Sequence, residues 1–163
     1  MQKMELYHGS LELVELPEIR EPNRTLDYGA GFYLTSSREQ AENWVKRKFK
    51  GDIKQGWLNI YEYDSEFENG LSVLTFESTT EEWLDFVMAN RTERGFSHSY
   101  DIVKGPVAND RVYASFALYE AGILSKRALI DELKAYRLVN QILLHTTDAL
   151  NAIKFLKAQI VEK

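Results

Sequence analysis

Tyr7-His8-Gly9-Ser10 ends an apolar run near the start of the chain, and Gly29-Ala30-Gly31-Phe32-Tyr33-Leu34-Thr35 follows about two dozen residues later. Each is a short strand-like segment that meets glycine. Glycine lets a ligand approach the backbone closely, while His8 and Tyr33 supply a hydrogen bond and a stacking face. The pair predicts a nucleotide site. A third stretch, Asn140-Gln141-Ile142-Leu143-Leu144-His145-Thr146, lies near the far end. Taken singly, each stretch has a plainer reading: His8 as a structural histidine at a strand-to-turn junction, Tyr33 as a core aromatic, Gln141 as a strand-edge polar residue.

Outward from these stretches, residues 4–8 and 32–35 read as strands, joined by a polar loop through Pro17, Pro22 and Asn23. Ser36 with Glu39 has capping-box spacing, and Ala41, Trp44, Val45 and Phe49 form the apolar side of the helix it opens, which stops near Gly51. Residues 57–63 and 71–76 are rich in aromatic and aliphatic strand formers and read as neighbouring strands. Ser78 with Glu81, or Thr79 with Glu82, opens a second helix that ends near Arg91. A strand over 100–108 follows and stops at Gly105-Pro106. Next come a helix from Asp110 to Gly122 and another opened by Ser125. The chain closes as strand 140–145, short helix 147–156 and strand 157–161. Strands and helices alternate irregularly, which predicts an α+β domain rather than a regular parallel sheet.

Composition narrows the function classes. The 163 residues, 44% hydrophobic, suffice for one core and predict a single domain. A formal charge of −5 offers no bulk attraction to a phosphate backbone. With no cysteine there are no disulfides, thiolate nucleophiles or cysteine metal sites. The three histidines, His8, His98 and His145, form no close pair along the chain, so no zinc site is expected. No run approaches the roughly 20 apolar residues of a membrane span, and the start lacks a leader pattern. The expectation is a soluble, cytoplasmic protein.

In their joint order the three stretches resemble the His, Tyr and Glu motifs of ADP-ribosyltransferases of the poly(ADP-ribose) polymerase and diphtheria-toxin type, with Gln141 where that family usually has Glu. Trp44 adds to the likeness: it stands eleven positions after Tyr33, the interval of the family's second nicotinamide-stacking aromatic. The block from Leu138 to Leu156 is similar to the family's closing strand, turn and small helix. The resemblance covers residues 4–62 and 136–161 and leaves 64–135 without a counterpart. Tyr100-Asp101-Ile102-Val103 with Gly105-Pro106-Val107-Ala108 resembles a little-characterised bacterial group, some of whose members are similar to toxins encoded beside a small antitoxin protein.

The resemblance implies a split β-sandwich core with a helical insertion, NAD as the bound substrate, and transfer of a single ADP-ribose unit. It implies a catalytic set of His8, Tyr33 and Gln141, and an NAD-binding set of Tyr7, His8, Gly9, Ser10, Gly31, Tyr33 and Trp44. Gly9 would hold the carboxamide, Tyr33 and Trp44 the two faces of the nicotinamide ring, and Ser10 the adenosine portion. Two departures weaken turnover. Gln141 keeps a hydrogen bond but loses the charge of a carboxylate, and Ala41 replaces a serine that contacts the carboxamide. Asp101 or Asp110 could supply the missing carboxylate, although Asp110 also reads as a helix cap. A non-catalytic NAD or ADP-ribose module and NAD hydrolysis are the alternatives. RNA 2′-phosphate transfer ranks last, because Arg20 and Arg24 are the only arginines near His8. Tyr113, Tyr119 and Tyr136 offer either a partner surface or core packing.

Overall fold

Strand β1 (Lys3–Ser10) lies inside the sheet, where its alternating side chains must satisfy two different layers. The computed structural model describes residues 3–20, 26–93, 95–107, 110–136 and 138–163. Pro22, Asn23, Arg24 and Ala108 lie outside the described residues, as does the side chain of Asp110. After β1 come β2 (Phe32–Thr35), α1 (Arg38–Lys46), β3 (Gln55–Asp64), β4 (Val73–Thr75), α2 (Glu81–Thr92) and β5 (Ile102–Pro106). Helices α3 (Asp110–Glu120) and α4 (Lys126–Lys134), then β6 (Asn140–Leu144) and β7 (Ile153–Glu162), complete the chain. Short 3-10 turns occupy Ser65–Glu68 and Asp148–Ala152.

The seven strands form one mixed sheet in the order β4-β5-β6-β2-β1-β3-β7, with β4 and β5 parallel and the other pairs antiparallel. The domain is therefore α+β. Strands β3 and β4 are not neighbours, contrary to the reading of residues 57–63 and 71–76: β3 takes its partners from both ends of the chain, β1 and β7, and β4 lies at the opposite edge. Along β1 and β2 the pairing is confined to Tyr7 and Thr35, so β4-β5-β6-β2 and β1-β3-β7 meet at a narrow seam.

Helix ends follow local chemistry, sometimes one residue from where the spacing put them. Ser37, not Ser36, caps α1 by accepting from the Gln40 N–H at 3.1 Å, and Thr80 caps α2 through Trp83 N at 3.2 Å. Ser125 caps α4 as expected, and Gly122, at φ +78°, ends the turn after α3. Helix α1 ends at Lys46, leaving Phe49 and Gly51 in the turn that follows. Residues 153–156, read as helix, open β7, since Ile153 and Phe155 pair with Tyr63 and Tyr61.

Each face of the sheet has its own cover. One carries Tyr33, Leu143 and Val103 beneath α2, α3 and α4, with Trp83, Phe116 and Leu129 at the centre of that cluster, and Leu58 and Ile60 beneath α1. The other carries Leu6, Phe32, Leu34, Tyr61, Ile142 and Leu144, closed over by Val14 and Ile19 of the loop after β1 and by Ala149 and Ala152. That loop is pinned by Asn59, whose Oδ1 accepts from Val14 N at 2.9 Å. Tyr113, Tyr119 and Tyr136 are half-buried against the helical core, which supports the packing reading over a partner surface.

Candidate functional site

Strands β1, β2 and β6, which carry the three sequence stretches, are consecutive in the sheet. Tyr7 pairs with Thr35, and Thr35 with Gln141, so Tyr7, Thr35 and Gln141 form one row on the helical face. Strand alternation then places Gly9 and Tyr33 on that same face, with α1 over its β1 side. Trp44 stands three positions after the sheet-facing Ala41, on the flank of α1, half-buried and outside every core cluster.

His8 departs from this grouping. Alternation sends its ring to the face of Leu6, where it stacks on Phe32 with centroids 4.1 Å apart. Its Nδ1 lies 2.7 Å from the Tyr33 carbonyl, across the seam where β1 and β2 part. Because a carbonyl only accepts, Nδ1 carries the proton. Nε2, which makes no hydrogen bond among the described residues, is left as an acceptor. Burial, opposed by the Tyr33 carbonyl and reinforced by Lys48 and Arg20, lowers the His8 pKa from 6.5 to about 4.

That shift has a measurable consequence. Between pH 6.5 and about 4 the unfolded chain holds the His8 proton more readily than the folded one, so stability falls as pH drops through that window. The loss is about 2 kcal/mol, discounted from the full shift because the ring keeps partial exposure. Urea unfolding of His8→Gln, which keeps a donor for the Tyr33 carbonyl but cannot titrate, is expected to show a shallower acid slope than the wild type. Equal slopes would mean that His8 does not titrate in this window.

The two glycines have packing reasons of their own. A Cβ on Gly9 would lie 2.0 Å from the Ala41 carbonyl oxygen, so α1 itself occupies the space that a ligand was expected to use. Gly31, at φ +149°, would drive a Cβ to 2.5 Å from both Leu143 Cδ1 and the Leu144 oxygen. Ser10 is buried, and its Oγ accepts from Glu12 N at 3.1 Å. The Tyr33 hydroxyl donates to the Gly29 carbonyl at 2.6 Å and accepts from Tyr28 N at 3.0 Å, so it holds the glycine loop while its ring stays on the sheet. Burial raises its pKa, keeping the phenol neutral.

Gln141 is 3% exposed, and its Nε2 makes no hydrogen bond of ordinary geometry. The amide acts only weakly on the Tyr28 hydroxyl, which already donates to the Pro106 oxygen and accepts from Trp83 Nε1, each at 2.9 Å. The opposite face of the sheet at this point carries a cavity of about 250 Å³, whose lining includes Ser36, Thr75, Glu77, Lys104 and Asn140 beside Leu6, Tyr63 and Ile142, while the Gln141 side chain stays on the helical face. His8, Tyr33 and Trp44 do not line it. Lys104 pairs with Glu68, which also accepts from the Tyr63 hydroxyl.

Asp101 is not a spare carboxylate. It accepts from Ser72 N at 2.8 Å and from the Thr146 hydroxyl at 2.7 Å, contacts that lower its pKa. His98 and His145, far apart in sequence, stack with centroids 4.2 Å apart and donate to the carbonyls of Tyr28 and Ala30. Together with Tyr33 they give each carbonyl from 28 to 30 a ring-borne donor. The sequence carried no signal for this convergence. Among the described residues, no group of three His, Asp or Glu side chains gathers in a metal-binding arrangement, and no helix is long and apolar enough to cross a membrane.

Comparison with known proteins adds one family. No curated protein matches the chain. The family model for DUF3990, described as a protein of unknown function, matches residues 4–155, nearly the whole sequence. By that match the chain belongs to the DUF3990 family.

Proposed function

We propose that the protein is an NAD-dependent mono-ADP-ribosyltransferase whose dinucleotide lies along the seam between β1 and β2. One observation carries the reading: three stretches far apart in sequence become the consecutive strands β6, β2 and β1, with Tyr7, Thr35 and Gln141 in a single row. Two polar atoms on these strands support a ligand there, one of His8 at the seam on the face of Leu6 and one of Gln141 on the helical face. The His8 Nε2 lone pair can accept from a ribose hydroxyl, and the buried Gln141 amide lacks an acceptor. Lys48 and Arg20, close enough to act on His8 electrostatically, are the cations that would face a diphosphate. Tyr33 and Trp44 would hold the nicotinamide ring and keep water from it.

When bound, NAD would supply a glycosidic bond to a cationic pyridinium, which leaves as neutral nicotinamide. The chain's contribution is positioning: neutral His8 orients a hydroxyl, Tyr33 braces the glycine loop through Gly29, and Gln141 donates without adding charge. The amide at 141 and the alanine at 41 also favour a second reading, a module that binds NAD and does not turn it over. Incubating the protein with labelled NAD, alone and with cell extract, separates these readings. Slow nicotinamide release with label retained on a macromolecule is the expected result. Release without retention would indicate hydrolysis, and NAD binding without release would indicate the module.

A further inference from the structure

We infer that the open end of the sheet between β1 and β6 is a docking slot for an extended segment of a partner protein, added as a strand beyond the end of β2. β2 stops at Thr35, whereas β1 reaches back to Lys3. Local chemistry causes the stop. The Thr35 hydroxyl donates to the Asn140 oxygen at 3.0 Å and accepts from Ser37 N at 3.1 Å, which turns the chain out of the sheet and into α1. Beyond that turn no described residue pairs with β1 on this side. Lys3, Met4 and Glu5 are therefore exposed although β1 is an interior strand, and Val139 and Asn140 across the slot are exposed as well. Neighbouring strands lie about 4.8 Å apart, so β1 and β6, two places apart in the sheet, leave room for one strand between them.

The backbone along this edge is oriented for pairing. Lys163 N donates to the Lys54 oxygen at 3.0 Å, which sets the alternation along β3: even-numbered residues bond to β7 and odd-numbered ones to β1. Met4, Leu6 and His8, opposite Tyr63, Tyr61 and Asn59, therefore bond to β3. Tyr7, Glu5 and Lys3 turn their N–H and C=O groups the other way. Tyr7 pairs with Thr35, and the backbone groups of Glu5 and Lys3 on that side have no partner among the described residues. Such a row is a template for one more strand.

Side chains along the slot fix the chemistry of the occupant. A strand that runs as β2 does places successive residues opposite Glu5, Met4 and Lys3. Glu5 faces Glu62 across β1 and β3, a like-charge pair in which Lys3 reaches only Glu62, at 3.7 Å. A basic residue opposite Glu5 and an acidic one opposite Lys3 complement that row. The residue between them, opposite Met4, points to the face of Leu6, where the cavity of about 250 Å³ presents Leu6, Tyr63 and Ile142. Ser36, opposite Leu6 by the same register, already lines that cavity. The segment that fits reads basic, apolar, acidic. Along β1 the slot precedes Tyr7 and His8 follows it, so this surface is independent of the dinucleotide seam.

The test titrates the blocked tetrapeptide acetyl-lysine-leucine-glutamate-threonine amide, to millimolar concentration, into the isotope-labelled 163-residue protein, with backbone amide NMR shifts as the readout. Saturable shifts at Lys3, Glu5 and Val139 are expected. The charge-swapped peptide, with glutamate first and lysine third, should bind about fivefold more weakly, and the original methylated on its lysine and glutamate amides at least about tenfold more weakly, since those amides bond to Glu5 and Lys3. Glu5→Lys lies at an exposed position and ends the repulsion from Glu62, so it keeps its fold and should reverse the preference between the two charged peptides. The methylated peptide applies an equivalent test to the wild type alone. Absence of saturable shifts, shifts confined to other strands, equal affinity for the charge-swapped or the methylated peptide, or a preference that Glu5→Lys leaves unchanged would overturn the slot.

Discussion

Gln141→Glu is expected to raise nicotinamide release from NAD about a hundredfold. A preorganised charge placed where positive charge develops contributes on the order of 3–4 kcal/mol to a transition state, and an amide in that position withholds it. The new carboxyl would be buried, as Gln141 is, in a place where Nε2 already lacks a partner. Burial raises a carboxyl pKa, so the gain should grow as pH rises and the group ionises. The same burial should lower Tm by several degrees. Steady-state release measured across pH, alongside thermal unfolding, checks both. A folded Gln141→Glu protein whose release matches the wild type at alkaline pH would show that residue 141 does not face the reacting bond.

Trp44→Ala is expected to weaken NAD binding about tenfold or more while leaving Tm within a few degrees of the wild type. Loss of one stacking ring from a planar base costs about 1–3 kcal/mol of binding. Trp44 suits this test better than Tyr33. Tyr33 braces Gly29 and Tyr28 through its hydroxyl and packs against the helical core, so its removal disturbs the fold as well as any ligand. Trp44 is half-buried on the flank of α1 and belongs to no core cluster. A large drop in Tm would mark Trp44 as a packing residue, and unchanged affinity would remove it from the ring sandwich.

Local chemistry was the legible part of the sequence. Ser125, Gly122 and the strands around residues 4–8, 32–35 and 57–63 fall where short-range spacing puts them, because caps and alternation act within a few residues. Strand order was not legible in the same way. The separation of β3 from β4 and the pairing of β3 with β7 depend on partners up to about a hundred residues away. The caps of α1 and α2 slipped by a residue or two because several Ser and Thr compete at each start, and only tertiary packing chooses among them.

The site divides along the same line. The motif reading expected His8, Tyr33, Trp44 and Gln141 to converge, and the register instead groups Tyr7, Tyr33 and Gln141 on one face without His8. Period-two alternation also signals that His8 points with Leu6, away from Tyr7, a cue that the motif reading passes over. Gly9 and Gly31 were read as openings for a ligand, and the structure gives them packing roles against Ala41 and Leu143. The pairing of His98 with His145 arises from loops that sequence distance conceals.

Isothermal titration of NAD into the 163-residue wild-type protein, with Trp44→Ala as the paired sample, tests the central claim most directly. The account predicts saturable one-site heat for the wild type and at least about tenfold weaker binding for the variant. A wild-type protein that gives no heat with millimolar NAD would contradict it.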